Sequence, residues 1–252
     1  VTAAAGTLSA PAPEVTAELA EAALAAYRKP AVPRYTDVDA LTGFAREPVD
    51  AGLQRWAQQI ATPEGFPLIG TGLHAPTYPA LLWNGARLDA AAPDVSWAPL
   101  LAALAAAPDN DQGLGRLFRA LQAAETVRQD AARLLVGATM PIAWPTLSTL
   151  ASATAAQLMG PHEGEGLVRV LDLAASLTVL TTGDRRSVAS GLWTGHGAAS
   201  GWLAARLPEG AVSPMAGSVV HTLSAAAGRP LAASDGVEPG LRSVADLLAR
   251  LR

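Results

Sequence analysis

The sequence predicts an all-α fold, and two patterns carry that expectation. Apolar residues recur at three- and four-residue spacing along most of the chain, and no stretch alternates as a half-buried strand would. Half of the 252 residues are hydrophobic but only 5% are aromatic, so the apolar content is mainly Ala, Leu and Val, which suits helices whose backbones approach closely. The length favours one domain with a sizeable core.

Residues 1–13 (VTAAAGTLSAPAP) are small and Pro-containing without periodicity and read as a flexible leader; residues 14–252 read as a single helical domain. The first helix is expected over 14–28, where Val15, Leu19, Ala22, Ala23 and Ala26 share a face before Pro30 and Pro33 end it. A second is expected over 49–60, with Leu53, Trp56 and Ile60 on one side, followed by a turn and a short extended piece at 63–72. Further helices are expected over 79–90, 98–107, 114–136, 145–159, 166–181, 187–207, 214–226 and 241–251. The clearest is 114–136: Leu117, Leu121, Ala124, Val127 and Leu135 are apolar, while Arg119, Glu125, Arg128 and Gln129 occupy other faces and read as a solvated surface. Residues 134–161 lack charge and are long enough to span a bilayer, but Gly137, Pro141, Pro145 and the interspersed Ser and Thr point to a buried helix with a broken entry.

Composition narrows function by exclusion. The formal charge is −4 and no Lys/Arg cluster is flanked by aromatics, so nucleic acid is not an expected partner. With no cysteine, thiolate metal sites and cysteine nucleophiles are ruled out. The four histidines, His74, His162, His196 and His221, never stand three or four apart, so no metal or other cofactor is expected. No basic segment leads into an apolar run at the N-terminus, so a cytoplasmic location and no membrane association are expected. Ser148 and Ser190 lack the Gly-x-Ser-x-Gly setting of a nucleophile elbow. Gly191, Gly195, Gly197 and Gly201 form two overlapping small-residue repeats, which let one helix backbone approach another.

Four segments carry a resemblance. PLIGTGLHAPTYPALLWNGARLDAAAPDV (67–95) is similar to an "IGTG…ANG" stretch at Ile69, Gly70, Thr71, Gly72, Asn84 and Gly85. LFRALQAAETVRQDAARLLVG (117–137) and WPTLSTLASATAAQLMG (144–160) look like a long helix and a Pro-Thr-containing helix of the same family. LWTGHGAASGWLAARL (192–207) resembles its Gly-rich "haGraArnGllAAlLA" helix at Gly195, Ala198, Gly201, Leu203, Ala204 and Ala205. The family is the MmgE/PrpD lyases, which include 2-methylcitrate dehydratase, cis-aconitate decarboxylase and iminodisuccinate epimerase. The resemblance, spread over most of residues 14–230, implies the family's helical domain without its second, α/β domain.

It also implies a rewritten active site. After Asn84-Gly85 the family's Asp-rich loop is reduced to Asp89 and Asp94, and the histidine that follows in the family has no counterpart. Trp144 stands where the family carries a histidine before Pro-Thr, Ser190 and Trp193 where a lysine and a histidine precede the Gly-rich helix, and His196 at an arginine position. Without those ionisable groups a small-carboxylate dehydratase, decarboxylase or epimerase loses its bases and its clamp, since a buried substrate charge without partners costs several kcal/mol. An apolar, aromatic pocket suits a bulky ligand of low charge, and ring closure by holding reactive ends together needs few ionising side chains. The leading expectation is therefore an enzyme of specialised, natural-product metabolism, of lyase or cyclase type and without cofactor, that templates cyclisation or rearrangement of an unsaturated small-molecule substrate. In it His196 and Asp89 would be catalytic, and Trp144, Trp193, Ser190, Arg185 and Arg186 substrate-binding. Each has a bland counterpart: the tryptophans as core, His196 as a satisfied structural histidine, the arginine pair as a solvated loop. The competing class is a non-catalytic scaffold or partner subunit, and either version is expected to be a homodimer.

Overall fold

The computed structural model describes residues 12–33, 35–92, 96–107, 113–135, 143–162, 164–179, 190–229 and 231. Among the described residues the protein is mostly helical, with one two-stranded sheet. In chain order the elements are α1 (Ala12–Tyr27), α2 (Tyr35–Phe44), α3 (Ala51–Ile60), β1 (Phe66–Leu68), β2 (Leu73–Ala75), α4 (Thr77–Ala91), α5 (Trp97–Ala106), α6 (Leu114–Leu134), α7 (Ala143–Met159), α8 (Leu167–Ser176), α9 (Ser190–Arg206) and α10 (Ser218–Ala227). None of these helices is long and apolar enough to cross a membrane.

Most of the periodic segments fold where the pattern puts them, with instructive differences. Helix α1 begins at Ala12, inside the segment read as leader. Helix α2 was not anticipated: YTDVDALTGF is short, mixed in polarity and preceded by two prolines, so its periodicity is weak. Helix α10 starts only at Ser218, because Gly217 at its N-cap is left-handed and the chain from Pro214 reaches it as a turn. Helix α8 ends at Ser176 rather than running on to 181. The extended piece after α3 is an antiparallel hairpin in which Phe66 pairs with Ala75 and Leu68 with Leu73. The helix expected over 241–251 lies outside the described residues.

Helix α9 is the centre of the fold, packed between α4 and α7, and glycine is what allows it. A Cβ on Gly195 would lie 2.5 Å from the Leu82 carbonyl oxygen, and one on Gly85 of α4 would lie 2.2 Å from the Gly195 Cα. On another side of α9, a Cβ on Gly201 would lie 2.5 Å from the Ala153 amide nitrogen of α7. Backbone meets backbone at these points, so any side chain would force the helices apart. The two overlapping glycine repeats thus face two different neighbours, as a helical advance of about 100° per residue requires.

Around this seam a single large core gathers small and branched residues, among them Leu19, Leu81, Leu101, Val127, Leu150, Leu171 and Leu223. One of its buried polar groups ties three elements together. Asp172 of α8 accepts from the Thr16 hydroxyl of α1 at 3.1 Å and from the backbone N–H groups of Gly217 and Val219 at 3.1 Å each. One carboxylate therefore joins α1, α8 and the otherwise uncapped start of α10.

A second, smaller cluster lies under the hairpin and contains Ala57, Leu68, Ala75, Ala80 and Trp83. It is held by specific polar anchors. Asn84 of α4 accepts from the Ile69 N–H and donates to the Pro67 carbonyl, both at 2.9 Å, and the Trp83 indole donates to Leu53 O at 2.9 Å. Arg87, one turn on, donates to the carbonyls of Phe44 and Glu47 at 2.6 and 2.9 Å and ties the end of α2 to α4. Burial pulls this guanidinium below its ordinary pKa, opposed by the nearby Glu47 charge.

Candidate functional site

Asp89, expected as a proton carrier, sits on the last turns of α4 and is buried. Its Oδ1 accepts from the hydroxyl of Thr194 on α9 at 2.8 Å. Thr194 is also buried, so this bond closes the α4–α9 seam at one end of the glycine contacts. His196 is half-buried on α9, two residues and therefore about 200° further around the helix. Its Nε2 lies 3.3 Å from the Leu177 carbonyl and 3.2 Å from the buried Ser200 hydroxyl. Leu177 caps the C-terminus of α8, where carbonyls lack intrahelical donors, and an Nε2–H tautomer satisfies it. The structure thus turns Asp89 toward α4's partner face and His196 toward α8, and does not bring them to a common point.

Trp193 is half-buried and precedes Thr194. Trp144 and Ser190 stand in the first turns of α7 and α9, but their side chains lie outside the described residues, as do Arg185 and Arg186 entirely. The motif residues that carry the resemblance take up packing and anchoring roles here: Asn84 holds the hairpin turn, Gly85 and Gly195 form the closest helix approach, and Gly201 admits α7.

Cavities of ligand size open elsewhere among the described residues. The first, about 380 Å³, lies between α2, the hairpin and the C-terminal end of α5, lined by Leu41, Ala45, Phe66, Ile69, Leu73 and Leu104 with Thr42 and the two hairpin glycines at its edge. Its wall is almost entirely apolar, and His74 is its titratable side chain. The Ile69-Gly70-Thr71-Gly72 turn singled out in the sequence borders it, set in place by Asn84. The second, about 470 Å³, lies where the C-terminal ends of α7 and α9 meet the start of α8 and is lined by Gln157, His162, Glu165, Arg169, Arg206 and Glu209 among others. Both volumes fall within the roughly 300–1,000 Å³ of small-molecule sites. Among the described residues no group of three or more His, Asp and Glu is placed to hold a metal ion.

Sequence reasoning missed both cavities. The first depends on α2, whose pattern was too weak to read. The second had a signal: Arg169 and Asp172 interrupt the apolar run LVRVLDLAA, and a charge in such a helix requires a partner. Asp172 finds its partners in the core, and Arg169 faces the cavity. Compared with family models, with curated proteins and with solved structures, the chain matches none.

Proposed function

We propose that this protein is an enzyme of specialised metabolism, derived from the helical domain of an MmgE/PrpD-type lyase, that folds an unsaturated, largely apolar substrate for intramolecular cyclisation or rearrangement. The observation that carries the reading is the 380 Å³ apolar cavity beside the hairpin, which offers shape and little charge. An enzyme working this way gains rate by holding reactive ends in a near-attack geometry, and needs at most one proton-transfer group at the rim. His74 occupies that position in the wall. Asp89 and His196, engaged in the bonds described above, serve this reading as supports of the scaffold; Trp193 stays a candidate for shaping the substrate.

The test is incubation with linear polyenes bearing a ketone or carboxylic acid end, followed by chromatographic separation of ring isomers of unchanged mass. Leu104→Trp fills the cavity and should lower conversion by about tenfold or more at an unchanged melting temperature. Trp193→Ala and His196→Ala compare the neighbouring α9 surface. No isomer formed by the wild type, or wild-type rates in Leu104→Trp, would overturn the reading.

A second reading, a non-catalytic partner subunit that forms homodimers, is favoured by the filled α4–α9–α7 seam, where Asp89 accepts a hydrogen bond from Thr194. A dimer at micromolar concentration with no conversion of any polyene would favour it.

A further inference from the structure

The 470 Å³ cavity at the ends of α7, α8 and α9 differs from the apolar one in chemistry, and its wall carries matched charges of both signs. Arg169 and Arg206 supply two cations, Glu165 and Glu209 two anions, with His162 beside them. Arg206, Glu165, Glu209 and His162 are exposed at the rim, and Arg169 is half-buried.

One buried group here is left short of a partner. Arg169 donates through one terminal nitrogen to the Leu207 carbonyl at 2.9 Å, while its other terminal nitrogen, Nη1, is buried and meets no acceptor among the described residues. Gln157 is 6% exposed and lines the cavity; its Nε2 donates to the Glu165 carbonyl at 2.6 Å. That bond fixes the amide orientation and leaves Oε1 open to accept a further hydrogen bond. Buried polar groups without partners are few in folded proteins, and Arg169 Nη1 asks for a ligand that supplies an acceptor, while Gln157 Oε1 offers a place for a donor. The first turn of α8 adds to the acceptor-seeking side, because its N-cap, Gly166, has no side chain to satisfy the first amides.

We propose that this cavity binds a small zwitterion of the amino-acid class. The ligand carboxylate is taken by Arg169 with Arg206, and the ammonium by Gln157 Oε1 with Glu165 and Glu209. A ligand with a single charge leaves one pair of the cavity's charges unanswered, which is why the zwitterion is preferred over a simple anion. The site is separate from the apolar cavity, so it stands whether or not the cyclase reading holds.

Calorimetric titration of the full chain with the proteinogenic L-amino acids tests it, with sodium propionate and propylammonium chloride as single-charge probes. At least one amino acid should bind, and bind at least about tenfold more tightly than either single-charge probe, the difference of one charge-assisted contact. Arg206→Gln and Glu209→Gln, both at exposed positions where folding is not at stake, should each weaken that binding by about tenfold. Arg169→Gln should abolish it, and a circular-dichroism melt run alongside separates loss of the site from loss of the Leu207 contact. No heat with any amino acid overturns the proposal. So does propionate binding as tightly as the amino acid, or wild-type affinity in both rim variants.

Discussion

The α4–α9–α7 seam and the hairpin flank are joined by the same helix, α4, yet they are built on opposite principles. In the seam, glycines bring backbones together and leave no room, and the buried Asp89 accepts from the buried Thr194 across it. At the flank, a few directional bonds from Asn84, Trp83 and Arg87 fasten a short hairpin and the end of α2 to their neighbours, and an apolar cavity opens beside them. One region is specified by the absence of side chains, the other by a handful of particular ones. The lesson concerns where function can sit: a family-like motif placed in the seam is consumed by packing, whereas the same chain a turn away still offers a surface to a ligand.

Breaking the seam should have the largest effect. Gly85→Ala puts a methyl 2.2 Å from the Gly195 backbone, where no flexible side chain can move aside. A loss of about 3 kcal/mol or more is expected, the upper end of overpacking, measured by urea denaturation. A loss below about 1 kcal/mol would mean that the helices separate easily and that the seam is not close-packed.

Asn84→Ala tests the flank. It strips the Ile69 N–H and the Pro67 carbonyl of their partners, at an expected loss of about 2–3 kcal/mol. If the two regions are independent in the way described, amide exchange should rise in the hairpin and stay unchanged in α9. A uniform rise would show that hairpin and seam open as one unit.

Farther out the effects shrink. Asp50 caps α3 by accepting from the Gly52 and Leu53 N–H groups at 2.7 and 3.3 Å, and Asp50→Ala should cost about 1 kcal/mol by thermal melting. On the outer face of α6, the Glu125 carboxylate hydrogen-bonds Arg128 and pushes its pKa up, but both groups reach solvent. Glu125→Gln should change stability by no more than about 0.5 kcal/mol, and less in high salt.

These contrasts also explain what could be read from the residues alone. Helices with apolar positions at regular spacing, such as α6 and α7, and the chain reversal at 63–72 were legible because local pattern determines them. The glycine repeats of α9 announced a close approach, though not that Gly191 and Gly195 face α4 while Gly197 and Gly201 face α7. Helix α2 escaped because neighbours, not periodicity, stabilise it: Arg87 grips its C-terminal end and Phe44 lies edge-on to Trp97 with ring centroids 5.7 Å apart. The pairing of Asp89 with Thr194 and the unpartnered Nη1 of Arg169 depend on which helices meet, and composition carries no such information.

The seam has a further consequence for how the chain reaches its native state. The Asp89–Thr194 bond joins residues 105 positions apart, and Thr16 meets Asp172 across 156. Helical proteins fold fast when their contacts are local, but here the central helix can dock only after a long loop has closed around it. Refolding should therefore be slow for a helical protein of this size, with secondary structure forming first and the α9 amides gaining protection from exchange in the last phase. A pulse-labelling experiment would follow that order directly.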